Sequence, residues 1–341
     1  MVKIIKEYIG NLERRIVMEH IFTDLAVESR EIYKPEEKKE IEGISINVKE
    51  EKNYSVTIVE VLNNQGSASI KKPVGKYITI DVPNLDKTDE DLKDEISIAL
   101  SKELKSITEG YKKDKILIIG LGNWNISSDS LGPKVVDRVL VTRQFFVNYN
   151  KEFDETMANI AAMAPGVMGI TGIETGDIVK GIVDKIKPDL VVAVDALSSR
   201  KMNRVSTTIQ ISNVGINPGS GVGNNRGALS KETLGIPVIA VGIPTVVNAA
   251  TLASDTMDLI ISSLKNTAEI GKEFYTLLDE LSREEKYSLI EEVLNPFMGN
   301  VIVTPKDIDV IIDDLSIIIA NGLNIALHPG IDLKDVNRYI R

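Results

Sequence analysis

Hydrophobic and polar residues alternate in three short segments in the first third of the chain: 44–48, 54–61 and 76–82. Such alternation is typical of strands with one buried face, so the pattern predicts an antiparallel β meander over 43–83. An amphipathic helix is predicted from Thr88, its N-cap, to about Thr108, because acidic residues crowd its first turn.

Continuous apolar runs replace this alternation in the middle of the chain. Residues 115–120 and 190–194 are rich in β-branched side chains, which is typical of strands buried on both faces of a parallel sheet. Further elements are predicted around them, namely strands at 157–163, 207–211 and 237–242 and helices at 131–141 and 175–186. Strand and helix thus alternate through 112–265, which indicates a doubly wound parallel sheet.

The rest of the chain is predicted to be mostly helical, with helices at 247–264, 270–281, 284–294 and 308–323. The fold class is therefore α/β: a doubly wound, mostly parallel sheet flanked by helices, with an added antiparallel β meander and a helical C-terminal region, 266–341. The pattern of residues 1–22 predicts a charged, loosely helical leader. The sequence has neither an apolar run long enough for a membrane span nor a signal-peptide core, so we expect a cytosolic protein without a membrane partner.

Composition narrows the chemistry. The chain has no cysteine and only two histidines, His20 and His328, so thiolate nucleophiles and cysteine zinc sites are excluded and carboxylates become the main acid–base candidates. The net charge of −10 disfavours direct nucleic-acid binding and suits a basic partner.

Two aspartates follow the two most apolar predicted strands. Asp129 comes shortly after the run at 115–120, and Asp195 comes directly after the run at 190–194. Each alone is more simply a helix cap or a turn residue. Because ligand sites of open α/β sheets form beyond the carboxyl ends of the strands, together they are a candidate pair that shares a proton and activates water.

Glycine-rich segments are the next candidates. The segment 213–226 reads NVGINPGSGVGNNR, a long loop whose backbone N–H groups could hold an oxyanion or an extended peptide. Gly219, Ser220, Gly221 and Arg226 are its candidate substrate-binding or oxyanion residues, and Asn123 is a candidate to orient a carboxylate. Arg200 and Glu174 are weaker candidates, a solvated arginine and a residue at a helix start. The Gly120-Leu121-Gly122 sequence lacks the third glycine of a dinucleotide fingerprint, so we expect no nucleotide cofactor.

Several long motifs together resemble the germination protease family of endospore-forming bacteria. They are GLGNWNISSDSLGP (120–133), APGVMGITGIETG (164–176), VVAVDALSSR (191–200), TIQISNVGINPGSGVGNNRG (208–227) and, as a processing segment, FTDLAVE (22–28).

The resemblance implies an endopeptidase that degrades small, acid-soluble spore proteins at germination in the spore core. It also implies a homotetramer and a zymogen that removes its own pro-segment, 1–24, by cleavage between Asp24 and Leu25, leaving a protease domain over 25–341. The family's fold is similar to that of hydrogenase maturation proteases. Its two catalytic aspartates match Asp129 and Asp195, and no metal or other cofactor is implied.

Two alternatives stay open at this point. Asp129 and Asp195 could instead be metal ligands of a maturation-type protease, although a borderline metal usually takes some nitrogen ligands. The domain could also be a nonenzymatic binding module for a basic spore protein.

Overall fold

One mixed β-sheet runs through the part of the chain that the computed structural model describes, residues 23–33, 41–83, 85, 90–148, 156–217, 227–267, 290 and 301–339. Its strands are β1 (Ile44–Glu50), β2 (Ser55–Val61), β3 (Gly75–Asp81), β4 (Lys115–Gly120), β5 (Asn159–Met163), β6 (Leu190–Ser199), β7 (Thr208–Ser212), β8 (Val238–Asn248) and β9 (Ile302–Val303). They are ordered β1-β2-β3-β7-β8-β6-β4-β5, and β9 pairs with β8.

Helices flank this sheet. They are α1 (Ala26–Tyr33), α2 (Asn64–Ile70), α3 (Glu90–Ile107), α4 (Leu131–Arg138), α5 (Arg143–Asn148), α6 (Met168–Thr171), α7 (Thr175–Ile186), α8 (Lys231–Leu234), α9 (Ala249–Thr267), α10 (Ile308–Leu327) and α11 (Leu333–Tyr339). The predicted N-cap Thr88, the leader before residue 23 and the predicted helix 270–281 lie outside the described residues, as does 284–294 apart from residue 290.

Parallel pairing is confined to the centre of the sheet. Strands β5, β4, β6 and β8 pair in parallel, while β1, β2, β3 and β7 form an antiparallel extension that joins β8. The predicted fold class is confirmed, with the meander continuing the same sheet. The prediction of strands around residue 210 is also correct, but β7 runs antiparallel to β8. The connection from β6 to β7 contains only a 3-10 turn, Met202–Arg204, which is too short for the helical crossover that parallel strands need.

Strands β6 and β8 continue beyond the apolar runs that predict them. They pair over nine positions, with one register shift between Leu197 and Ser198. Asp195 therefore lies inside β6 and not at its end, which corrects the prediction. The sequence hides this extension because small and polar residues follow the aspartate in place of branched apolar ones.

The two sheet faces are covered by different helices. On one face α3, α4 and α10 bury the larger apolar cluster, and on the other α7 covers a smaller one. Helix α10 is long and apolar enough to cross a membrane, but 67% of its most apolar stretch is buried inside the protein. It packs against α3 and α4, which identifies it as the central core helix of this face.

Candidate functional site

The turn after β4 presses the start of α4 into the crevice between β4 and β6. Leu121 donates its N–H to the carbonyl of Val194 at 2.8 Å, extending the pairing of the two strands. Gly132, in the first turn of α4, leaves no room for a side chain. A Cβ there would lie 2.3 Å from the carbonyl oxygen of Leu121 and 2.6 Å from that of Val194. The glycine lets the helix start close to both strands.

Asp129 lies in a 3-10 turn, Ser127–Asp129, directly before α4. Its carbonyl accepts the Asn123 N–H at 2.8 Å, and a Cβ on Gly122 would lie 3.2 Å from its carboxylate oxygen Oδ1. The carboxylate thus sits close to the end of β4 and is partly exposed to solvent. Thr245 of β8 braces the same turn by donating its hydroxyl to the Ser128 carbonyl at 2.6 Å.

Asp195 is on the neighbouring strand. The parallel register pairs Gly120 with Val194, so Asp195 lies beside Leu121, about 5 Å away at the usual spacing of strands. The aspartate is only 5% exposed, and its Oδ1 accepts the Ala196 N–H at 2.9 Å. The structure therefore brings a buried carboxylate and a partly exposed one to the same edge of two adjacent strands. Such unequal environments can hold one carboxyl protonated and the other ionised.

The remaining predicted site residues have different surroundings. Asn123 stabilises the turn, because its Oδ1 accepts the Asn125 N–H at 3.0 Å. Arg200 forms an ion pair with Asp255 at 3.2 Å. Glu174 precedes α7, as predicted, without a capping hydrogen bond from its side chain. Gly219, Ser220, Gly221 and Arg226 lie outside the described residues.

Exposed apolar side chains surround this edge. Trp124 and Ile126 are each 51% exposed on the turn that holds Asp129, and Met168, Ile170 and Ile173 are exposed on the connection after β5. Both connections leave the carboxyl ends of parallel strands, so they lie at the same edge of the sheet. This arrangement suits contact with apolar side chains of a polypeptide.

The segment at residues 23–28 is bound to the strand that carries Asp195. The Asp24 N–H donates to the Ser198 carbonyl at 3.0 Å, and the Ser198 N–H donates to the Asp24 carboxylate at 2.8 Å. Leu25 is fully buried in a cluster with Leu197 and Val27. The predicted processing bond, Asp24–Leu25, therefore lies beside β6, near Asp195.

Two residues that sequence reasoning missed hold the backbone around this bond. Lys72 donates its ammonium group to the carbonyl oxygens of Thr23 and Asp24, each at 2.9 Å. Gln210 donates Nε2 to the Asp24 carbonyl at 3.1 Å. A glutamine between the two isoleucines of strand β7 was the available signal, whereas nothing in the sequence marks Lys72. Burial lowers the pKa of Lys72, and the nearby carboxylates of Asp24 and Glu28 oppose that change.

A buried carboxylate ties the same segment to the turn after β6. Glu28 is 1% exposed, and it accepts the N–H of Arg200 at 2.6 Å and that of Lys201 at 2.9 Å. Arg204 lies 3.5 Å from the same carboxylate. One turn further along α1, burial raises the pKa of Glu31, but hydrogen bonds from Arg204 and Lys201 outweigh burial and leave that pKa below its usual value.

His328 is a structural residue of the core. It is fully buried at the end of α10, where Nδ1 accepts the Ala158 N–H and Nε2 contacts the Leu140 carbonyl, each at 3.1 Å. Burial lowers its pKa, and the bond to Leu140 opposes the shift. His20 lies outside the described residues. Within the described part of the chain, no group of three or more His, Cys, Asp or Glu side chains is placed to hold a metal ion.

Comparison with known proteins gives consistent matches. A sequence model of the family "Germination protease" matches residues 22–272 and 264–340. Germination proteases of Clostridium perfringens SM101 and Oceanobacillus iheyensis are 49% and 40% identical, over 95% and 97% of this chain and 100% of each relative. That of Caldanaerobacter subterraneus subsp. tengcongensis is 45% identical over 95% of this chain and 99% of its own length.

Solved structures show a weaker similarity. A [NiFe] hydrogenase maturation protease, HycI, from Thermococcus kodakarensis is 22% identical, with a TM-score of 0.29 over 42% of this chain and 80% of its own. The hydrogenase maturating endopeptidase HybD from E. coli is 16% identical, with a TM-score of 0.21 over 45% of this chain and 94% of its own.

Proposed function

The chain belongs to the germination protease family, and from this premise we propose that it is an endopeptidase that degrades small, acid-soluble spore proteins and processes its own N-terminus. A peptidase acting in germination follows from family membership itself. The substrate, the self-processing and the catalytic residues are the proposal. The net charge of −10 supports a basic polypeptide substrate, because opposite charge favours encounter.

We assign the chemistry to Asp129 and Asp195. One carboxylate takes a proton from a water molecule, whose oxygen attacks the scissile carbonyl carbon. The other carboxyl is protonated and donates to the carbonyl oxygen. When the C–N bond breaks, the leaving amine takes up a proton, and the pair returns to its shared-proton state. Backbone N–H groups near Gly219–Gly221 remain candidates to stabilise the oxyanion of an external substrate.

The observation that carries this assignment is the parallel pairing of β4 with β6. It places Asp195 beside the end of β4, where the turn that bears Asp129 begins. Each aspartate alone is an ordinary structural residue. Their placement at the edge where α/β enzymes bind substrate makes a catalytic pair the best-supported interpretation.

The test compares Asp129→Asn and Asp195→Asn separately with Asp137→Asn, an exposed aspartate in α4. We expect each site variant to remain folded and to lose at least roughly 10³-fold in cleavage of a purified small, acid-soluble spore protein, while the control keeps its activity. Near-normal cleavage by a folded variant would remove that aspartate from the mechanism.

A strong chelator separates the alternatives in the same assay. Cleavage lost on chelation favours a metal held by the two aspartates, and binding without cleavage favours a nonenzymatic module. We propose that processing occurs between Asp24 and Leu25 and that the active form is a homotetramer of the spore core. N-terminal sequencing of the processed chain and its mass in solution test these two points.

A further inference from the structure

We propose that Lys72 and Gln210 form the oxyanion-stabilising pair for hydrolysis of the chain's own Asp24–Leu25 bond. This inference rests on the proposed self-processing and adds residues to it. The carbonyl oxygen of Asp24 accepts Lys72 Nζ at 2.9 Å and Gln210 Nε2 at 3.1 Å. This oxygen is the one that becomes negatively charged when water attacks the bond, and a cation with a second donor suits that charge.

Gln210 also fixes the register of the chain around the bond. Its side-chain Oε1 accepts the Ala26 N–H at 2.7 Å while its Nε2 donates to the Asp24 carbonyl. The side-chain amide thus straddles Leu25 and imitates the pairing of a neighbouring strand. A fully buried Leu25 and a hydrogen bond from its N–H to Thr23 Oγ1 at 3.1 Å hold the other side of the bond.

The sheet places Gln210 on the same face as Asp195. Gly242 of β8 pairs with Gln210 on one side and with Asp195 on the other. Residues paired in this way project from one face, and two strand spacings separate the α-carbons of Gln210 and Asp195 by about 10 Å. Leu197 covers the glycine between them and packs against Leu25. The segment that contains the bond therefore lies over the strand between the two polar side chains.

The chemistry balances without a further reactant. Water attacks the Asp24 carbonyl carbon, its proton passes to the carboxylate pair, and the oxyanion is stabilised by Lys72 and Gln210. Collapse breaks the C–N bond, the Leu25 amine takes up a proton, and Asp24 is left with a free α-carboxylate. In this role Lys72 acts as a hydrogen-bond donor and does not transfer a proton.

The experiment follows the conversion of the full chain to the form starting at Leu25 by intact mass, with thermal unfolding as a check of folding. The variants are Lys72→Met, Lys72→Arg, Gln210→Met and the control Lys49→Met, an exposed lysine on β1. Loss of one oxyanion donor slows amide hydrolysis by roughly 10²–10³-fold. We expect that loss for Lys72→Met, a smaller one for Lys72→Arg, and none for the control. Because Gln210 also fixes the register of the segment, Gln210→Met should slow cleavage and spread it from Asp24–Leu25 to neighbouring bonds.

The outcomes separate the two proposals. A wild-type chain that is never cut at Asp24–Leu25 refutes self-processing there, and the role of the pair falls with it. A wild-type chain cut normally, together with folded Lys72→Met cut at the same rate, overturns only the role of Lys72. Faster processing of Lys72→Met would mean that the contacts restrain the bond, and this too overturns the proposal. Slower processing that Lys72→Arg partly restores supports it.

Discussion

A methyl group at Gly132 should displace α4 and with it the turn that carries Asp129. In Gly132→Ala the added Cβ would lie 2.3 Å from the Leu121 carbonyl oxygen, 2.5 Å from the Leu121 nitrogen and 2.6 Å from the Val194 carbonyl oxygen. All three are backbone atoms of paired strands, so no rotation of a side chain relieves the contact. Cβ atoms essentially never come closer than 3.0 Å, so helix and strands must separate by at least about 0.7 Å.

The magnitude follows from that displacement. Overpacking of this kind costs about 1–3 kcal/mol, and the better helix propensity of alanine returns at most about 1 kcal/mol of it. A net loss of up to about 2 kcal/mol lowers the unfolding temperature by up to roughly 3 °C in a chain of this length. Activity is more sensitive, because moving a catalytic group by about 1 Å can reduce the rate 10²-fold. We therefore expect a large loss of proteolysis with a modest loss of stability.

Gly181→Ala provides the matched control. Gly181 also lies in a helix, α7, but a Cβ there would meet no atom within 4 Å. This variant should gain about 0.5–1 kcal/mol, since alanine is the better helix former at an unobstructed position. Thermal unfolding and cleavage of a spore protein, measured on both variants, make the comparison. Wild-type stability and activity in Gly132→Ala would refute the close packing of α4, and lost stability with full activity would separate Asp129 from catalysis.

Two further predictions concern buried ionisable side chains, Glu28 and His328. Glu28→Gln should lower the unfolding free energy by about 2–4 kcal/mol, because an amide cannot replace the charge-assisted hydrogen bonds of that carboxylate. Glu31 is partly exposed, so Glu31→Gln should lower it by about 1 kcal/mol or less. Equal losses for the two variants in urea denaturation would contradict this prediction. Burial lowers the pKa of His328 below 6.5, so its neutral form contributes stability that is complete above pH 6.5 and is lost as the pH falls towards the lowered pKa. Between about pH 7.5 and pH 5 the unfolding free energy should therefore fall more steeply for wild type than for His328→Gln. The same pH dependence in both proteins would show that His328 does not cause the loss of stability.

Local patterns were sufficient to predict most of the fold. Strands buried on both faces leave continuous apolar runs, and β4 and the first half of β6 were therefore visible in the sequence. Ligand sites of open α/β sheets lie beyond the carboxyl ends of the strands, and this rule pointed to Asp129 and Asp195. It could not show that β6 continues past Asp195, because that extension is stabilised by pairing with β8, a strand more than 40 residues later.

The contacts around Asp24 were beyond prediction for the same reason. More than 100 residues of sequence separate Lys72 from Asp195 and Gln210. The order of the strands brings these residues to the same part of the fold. Gly242 shows this most clearly. In the sequence it is one residue of an apolar run with no recognisable role. In the sheet it pairs with Gln210 of β7 on one side and with Asp195 of β6 on the other, so the three residues lie side by side.

The residues that follow the proposed cleavage bond are packed into the body of the protein. On the downstream side, Leu25 and Ala26 are fully buried and Glu28 binds the turn after β6. Just before the bond, Thr23 and Asp24 make polar contacts, and their carbonyl oxygens accept hydrogen bonds from Lys72. Apolar burial stabilises by about 25 cal/mol per Å², so Leu25 and Ala26 hold the downstream side in place independently of the bond before them. Hydrolysis between Asp24 and Leu25 would therefore leave the new N-terminus packed against Leu197 of β6 and held through Glu28, without loosening the body of the protein.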